Sequence, residues 1–145
     1  MDLITLDFET YYDKDYSLRK MTTEAYVRDP RFEVIGVAVR VNNGETEWAS
    51  GTYDQIKKYL KTFNWGEAML LCHNTMFDGA ILNWRFDICP RMYTDTLCIA
   101  RALHGTEASA SLSALSERYD IGVKGTEVLD ALGKRRGDFG PEELS

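Results

Sequence analysis

The sequence predicts a mixed α/β domain, and three observations carry that prediction. Residues Leu3 to Phe8 alternate apolar and polar side chains as a half-buried strand does. Asn42-Asn43-Gly44 is a turn between two further strand-like runs, with Asn-Gly supplying the positive-φ residues that a tight antiparallel connection requires. From about residue 50 onward, short apolar runs alternate with stretches of helical period, the pattern of parallel strands joined by crossover helices. A chain of 145 residues can bury one substantial core but not two of ordinary size, so residues 1–145 are read as a single domain.

The first strand places Ile4, Leu6 and Phe8 on one face and Leu3, Thr5 and Asp7 on the other, with Glu9 continuing the Asp7 side. Residues 11–31 show no clean period and read as a long irregular excursion. A second strand runs from Phe32 to Val41 and a third from Glu45 to Ala49. Thr52 with Gln55 forms a capping box ahead of a helix that buries Ile56, Tyr59, Leu60 and Phe63 and turns Lys57, Lys58 and Lys61 outward. Ala68 to Cys72 is wholly apolar, as a strand covered on both faces is, and Phe77, Ala80, Ile81 and Trp84 mark the next helix. A short strand near Arg91 to Thr94, a helix from about Asp95 to Leu103 and a Ser-capped helix from Ser111 to Tyr119 follow. The order β-β-β-α-β-α-β-α-α predicts a mixed sheet with flanking helices, the ribonuclease-H-like architecture. The Gly-rich tail from Lys124 to Gly140 is left unassigned.

The composition, 44% hydrophobic and 28% charged, is that of a globular protein. No apolar run reaches the roughly 18 residues of a membrane span, and Met1-Asp2-Leu3-Ile4 has no signal-peptide character. The expected location is a reducing cytoplasm. Cys72, Cys89 and Cys98 are odd in number and lack CxxC spacing, so they read as buried free thiols rather than disulfides or a zinc site. A net charge of −6 is unusual for a nucleic-acid binder. It is compatible with a nuclease that grips its substrate through bound cations, because those cations reverse the local charge.

Asp7 and Glu9 lie two residues apart on one strand face, about 7 Å apart along the backbone, and can converge on one ion. Mg²⁺ prefers carboxylate and water oxygens. An Asp-x-Glu pair alone is more often simply solvated. Its meaning changes beside His73-Asn74-Thr75-Met76-Phe77-Asp78, which follows an apolar strand and opens a helix. Asp78 lies in that helix's first turn, off the stripe of Phe77, Ala80, Ile81 and Trp84, where it can point along the carboxyl edge of the sheet.

Together, Asp7-Phe8-Glu9-Thr10 and His73-Asn74-x-x-Phe77-Asp78 resemble the first two motifs of the DEDD 3′-to-5′ exonucleases, the proofreading family of family A DNA polymerases. Tyr16-Ser17-Leu18 to Arg31-Phe32 and Asp95-Thr96 resemble phage polymerase sequence. The resemblance implies that Asp7, Glu9 and Asp78 are catalytic metal ligands, that Thr10 and Asn74 contact the terminal nucleotide, and that Phe77 lines its pocket. It implies two Mg²⁺ ions, with Mn²⁺ as a substitute, and hydrolysis of a single-stranded DNA 3′ end, with a polymerase domain in the same full-length chain. The alternatives are an RNA-directed exonuclease of the same superfamily and a catalytically silent binding scaffold.

The family's fourth carboxylate, which follows a Tyr or His on a late helix, is not found. Tyr119-Asp120 and Leu129-Asp130 lack the spacing, and Asp130 or Asp138 would be a stand-in. Gly133 to Ser145 resembles the segment leading into that helix, so the domain is expected to be incomplete at its C-terminus and a poor enzyme. His73 reads as a satisfied structural histidine and Asp95 as a helix cap. Lys134, Arg135 and Arg136 are read equally as a solvated face or as phosphate contacts, and Tyr11, Tyr12 and Tyr16 as packing residues rather than base-stacking platforms.

Overall fold

The computed structural model describes residues 1–122 and 132–140. Its elements are β1 (Asp2–Thr10), α1 (Thr23–Arg28), β2 (Val34–Val41), β3 (Thr46–Ser50), α2 (Tyr53–Leu60), β4 (Ala68–Cys72), α3 (Thr75–Phe86), β5 (Met92–Asp95), α4 (Thr96–His104) and α5 (Leu112–Tyr119). Short 3₁₀ turns lie at Trp65–Glu67 and Arg136–Asp138. The strands form one sheet in the order β3-β2-β1-β4-β5, antiparallel on the hairpin side and parallel from β1 to β5. The expected mixed α/β architecture is therefore present, with β1 at its centre.

Alternation along β1 decides which face becomes the core. Ile4, Leu6 and Phe8 are buried with Val37, Val39 and Leu70, whereas Asp7 is exposed and Glu9 half-buried. Burying side chains of this size stabilises the fold by about 1.5–3 kcal/mol each. Asp7 pairs in register with Ala38 and Glu9 with Gly36, and the register shifts between Glu9 and Thr10. That shift, a bulge, redirects the chain as it leaves the sheet beside the carboxylates. Across the sheet Trp48 closes over Gly36, leaving no room for a β-carbon there.

The excursion at 11–31 is more ordered than the sequence reading expects, because it contains α1. Thr22 caps that helix by accepting the Ala25 N–H, Glu24 stands in its first turn and Arg28 in its last. Six residues are too few for a period to show, but the capping and charge signals are in the sequence. Tyr16 and Tyr26 anchor the excursion, their rings stacked with centroids 4.4 Å apart and the Tyr16 hydroxyl donating to the Tyr26 carbonyl at 2.6 Å.

Helix α3 is rotated relative to the expected stripe. Ile81 of that stripe is buried and Phe77 packs against the core, but the buried face also takes in Thr75, Asp78, Leu82 and Phe86, and Trp84 is exposed, lying under the Arg28 guanidinium 4.4 Å from its ring centroid. Arg85 fastens this side to α1 by donating to the Val27 and Asp29 carbonyls at 2.7 and 3.0 Å. Asp78 is thus on the core side of the helix, not off it. The cysteine expectation also needs correction, since Cys72 is buried but Cys89 and Cys98 are exposed. Among the described residues no helix is long and apolar enough to cross a membrane.

Candidate active site

The end of β1, the end of β4 and the start of α3 meet at one edge of the sheet. Asp78 is only 3% exposed, and its Oδ1 accepts the Phe8 N–H at 3.0 Å, a bond that joins β1 to α3 across seventy residues of sequence. Burial pushes the Asp78 carboxyl up to about 8, and the charges of Asp7 and Glu9 push the same way against the hydrogen bond from Phe8. The Cys72 thiol beneath is likewise pushed up, first by burial and then by Asp78, Asp7 and Asp95. The structure therefore brings the three predicted carboxylates into one electrostatic neighbourhood.

Among the described residues, no three His, Cys, Asp or Glu side chains are already gathered closely enough to cage an ion. The donor set is nonetheless all carboxylate oxygen, which suits Mg²⁺. Asp78 is fixed by its buried bond to Phe8, while Asp7 and Glu9 project from the less buried face of β1. A buried carboxyl whose ionisation is resisted by burial and by two like charges is stabilised by a proton or by a cation.

Asp95 organises the other half of the site. Its Oδ1 accepts the N–H groups of Asn74 and Leu97, both at 2.9 Å, and its Oδ2 accepts the Thr75 N–H at 3.0 Å. Partial burial works to raise this carboxyl, but the backbone donors Asn74, Leu97 and Thr75 outweigh it and hold it below its ordinary value. It caps α4, as expected, and it also holds the turn in which Asn74 adopts φ 77° ahead of α3. The Thr75 hydroxyl adds a bond to the Thr94 carbonyl at 2.8 Å. One side chain thus ties the carboxyl ends of β4 and β5 to the helix that carries Asp78. An Asp-Thr pair opening a helix signals the cap, but nothing local in sequence signals the clamp.

A cavity of about 620 Å³ opens at the end of β1 and is lined by Glu9, Thr10, Tyr12, Asp13, Tyr26 and Phe77, with Lys14, Arg19 and Lys20 also in its wall. Its size is within the range of small-ligand sites. The Thr10 hydroxyl lies 2.8 Å from that of Tyr26, whose ring meets Phe77 with centroids 5.8 Å apart. Thr10 and Phe77 share this cavity with Glu9, whereas Asn74 is not among its lining residues.

The remaining sequence candidates lie elsewhere or are engaged. His73 Nε2 donates to the Ala110 carbonyl and Nδ1 meets the Thr96 hydroxyl, both at 2.9 Å, so it is the satisfied structural group expected. Arg135 pairs with Glu33 at 2.7 Å and stacks on Tyr11, and the Arg136 N–H also donates to Glu33. Tyr16 is fully buried and Tyr12 is a cavity wall. Asp138 accepts the Arg135 N–H at 2.9 Å, and Asp120 is the left-handed cap of α5. Asp130 and residues 141–145 lie outside the described residues.

No protein-family model and no curated protein matches the chain. Solved structures do. Brucella melitensis NrnC with bound Mg²⁺ superposes with a TM-score of 0.63 at 18% identity, covering 98% of this chain and 62% of that one. Brucella melitensis NrnC bound to pGG gives 0.63 at 17%, and an apo form of the nuclease 0.62 at 18%, both with the same coverage. The fold is ribonuclease-H-like. The chain spans 62% of the length of these neighbours, so the likeness establishes the architecture and leaves the chemistry to the residues described above.

Proposed function

We propose that the chain carries the core of a divalent-metal-dependent 3′-to-5′ exonuclease. The observation that carries this reading is the shared electrostatic neighbourhood of Asp7, Glu9 and buried Asp78 at the end of β1, beside a cavity lined by Glu9, Thr10 and Phe77. Mg²⁺, when bound, would activate water and stabilise the leaving oxygen of a phosphodiester. The chain's own part is positional. Asp78 is held by the Phe8 N–H as a fixed ligand, Asp7 and Glu9 supply the carboxylates of β1, Asp95 holds the turn before α3, and Thr10 with Phe77 receives the terminal nucleotide.

An RNA-directed enzyme fits the structural neighbours better than a proofreading domain does, since those neighbours are NrnC nucleases and one is bound to pGG. The DNA reading, with a polymerase domain as partner, rests on the phage-like stretch from Tyr16 to Phe32. Single-turnover assays with 5′-labelled RNA and DNA strands of one sequence separate the two. Expected is Mg²⁺-dependent shortening from the 3′ end, faster on RNA, abolished by chelation and by Asp7→Ala. Shortening of DNA alone would favour proofreading, and no shortening of either strand with protein in excess would overturn the nuclease reading.

A further inference from the structure

Residues 11–21 leave the bulge at the end of β1 and form a lip over the cavity, held from beneath by several bonds. Asp13 Oδ1 accepts the N–H groups of Asp15 and Tyr16 at 2.8 and 2.7 Å, and its Oδ2 accepts the Tyr11 hydroxyl at 2.5 Å. The Asp13 N–H returns to the Tyr16 carbonyl at 2.9 Å, and those of Lys20 and Met21 converge on the Ser17 carbonyl at 3.0 and 3.1 Å. Tyr16, fully buried and stacked on Tyr26, pins this segment to the core.

A segment so anchored does not need three cations for its own stability. Lys14, Arg19 and Lys20 all line the cavity and are all exposed. Lys20 makes one loose ion pair with Asp15 at 3.4 Å, both side chains well exposed, and pairs of that kind contribute little. Among the described residues Lys14 and Arg19 make no ion pair. The same wall carries the carboxylates of Glu9 and Asp13, and Asp13 is already engaged by the Tyr11 hydroxyl and the N–H groups of Asp15 and Tyr16, so in a chain of net charge −6 the three cations leave this wall with a small positive surplus. A strand reaching the carboxylates brings further phosphates with it, and these need a positive partner that the carboxylate side cannot provide.

Resting on the nuclease reading above, we propose that Lys14, Arg19 and Lys20 clamp backbone phosphates of a single-stranded nucleic acid on the 5′ side of the bond to be cut. The ligand class is the phosphodiester backbone, recognised by charge and independent of base. Walls at Tyr12 and Leu18 accept the bases of the held strand, while Phe77 is left to the terminal nucleotide.

The test measures binding of a 5′-labelled single-stranded oligonucleotide in chelator, where no hydrolysis occurs, across a salt series. Each phosphate contact on a single strand contributes a slope of about 0.7 in log affinity against log salt. Replacing all three cations, as Lys14→Gln, Arg19→Gln and Lys20→Gln together, should flatten the slope by about 2. Raising salt from about 50 to 200 mM should then weaken wild type about 16-fold more than the variant. Each single variant should remove about one third of that slope, so loss of folding in the triple variant leaves the test standing. A neutral methylphosphonate walked along the oligonucleotide should erase the difference between wild type and variant only at positions the lip holds. Equal slopes in wild type and variants, or a difference indifferent to the methylphosphonate position, would overturn the clamp alone. Absence of any binding by wild type in chelator would overturn the clamp, whereas the nuclease reading is decided separately by the Mg²⁺-dependent shortening assay.

Discussion

Replacing Asp78 with Asn isolates the charge of the buried carboxylate while keeping its shape and its acceptor for the Phe8 N–H. In the folded chain burial, reinforced by Asp7 and Glu9, moves this carboxyl from 3.8 to about 8. Between those values the folded chain keeps a proton that the unfolded chain has released, so stability falls as pH rises and levels off above about 8. Each pH unit in that window is worth about 1.4 kcal/mol. Asp78→Asn has no such proton to lose. In metal-free buffer its stability relative to wild type should therefore climb by about 4 kcal/mol between pH 4 and pH 7. Urea denaturation of both proteins in chelator at each pH measures this, and taking the difference cancels the carboxylates that do not interact with Asp78. Saturating Mg²⁺ should reverse the order at neutral pH, because only wild type presents the buried ligand. Parallel stability curves for the two proteins from pH 4 to 8 would refute the reasoning, since the carboxylate would then be solvated in the folded chain.

Mg²⁺ or Mn²⁺ should raise the melting temperature of wild type, with a smaller gain in Asp7→Ala; equal metal affinity for both by calorimetric titration would remove Asp7 from the site. Asp95→Ala leaves the N–H groups of Asn74, Thr75 and Leu97 without their acceptor and should cost on the order of 2–4 kcal/mol in urea denaturation, given about 1–3 kcal/mol for each buried donor that stays unpaired. Gly36→Ala would set a β-carbon 2.3 Å from the Trp48 ring and 2.9 Å from the Ala49 carbonyl. Overpacking of this kind typically costs about 1–3 kcal/mol, and the change in Trp48 fluorescence should accompany the lowered denaturation midpoint.

Much of the architecture was legible because its signals are local. Alternation marked β1, Asn42-Asn43-Gly44 marked the hairpin, Thr52 with Gln55 marked the capping box that α2 carries, and Ser111 marked the cap of α5. Those features depend on neighbours one to four residues away, where period and hydrogen-bonding chemistry are written directly into the chain. The two motifs also named the carboxylates and the residues Thr10 and Phe77 that share the cavity.

What the tertiary structure alone decided concerns partners far apart in sequence. The face α3 turns to the core depends on what it packs against. Arg28 covers Trp84 and Phe8 donates to Asp78, so the apparent apolar stripe was rotated and the carboxylate went inside. The role of Asp95 required β5 to lie beside β4, because only that register delivers its carboxylate to the N–H groups of Asn74 and Thr75. The excursion at 11–31 carried no period because its order comes from Tyr16 and Tyr26 stacking under a loop, and stacking of that kind has no sequence interval. Sequence determined which groups could do the chemistry; burial and distance, set only when the sheet closes, determined which of them carry a perturbed charge.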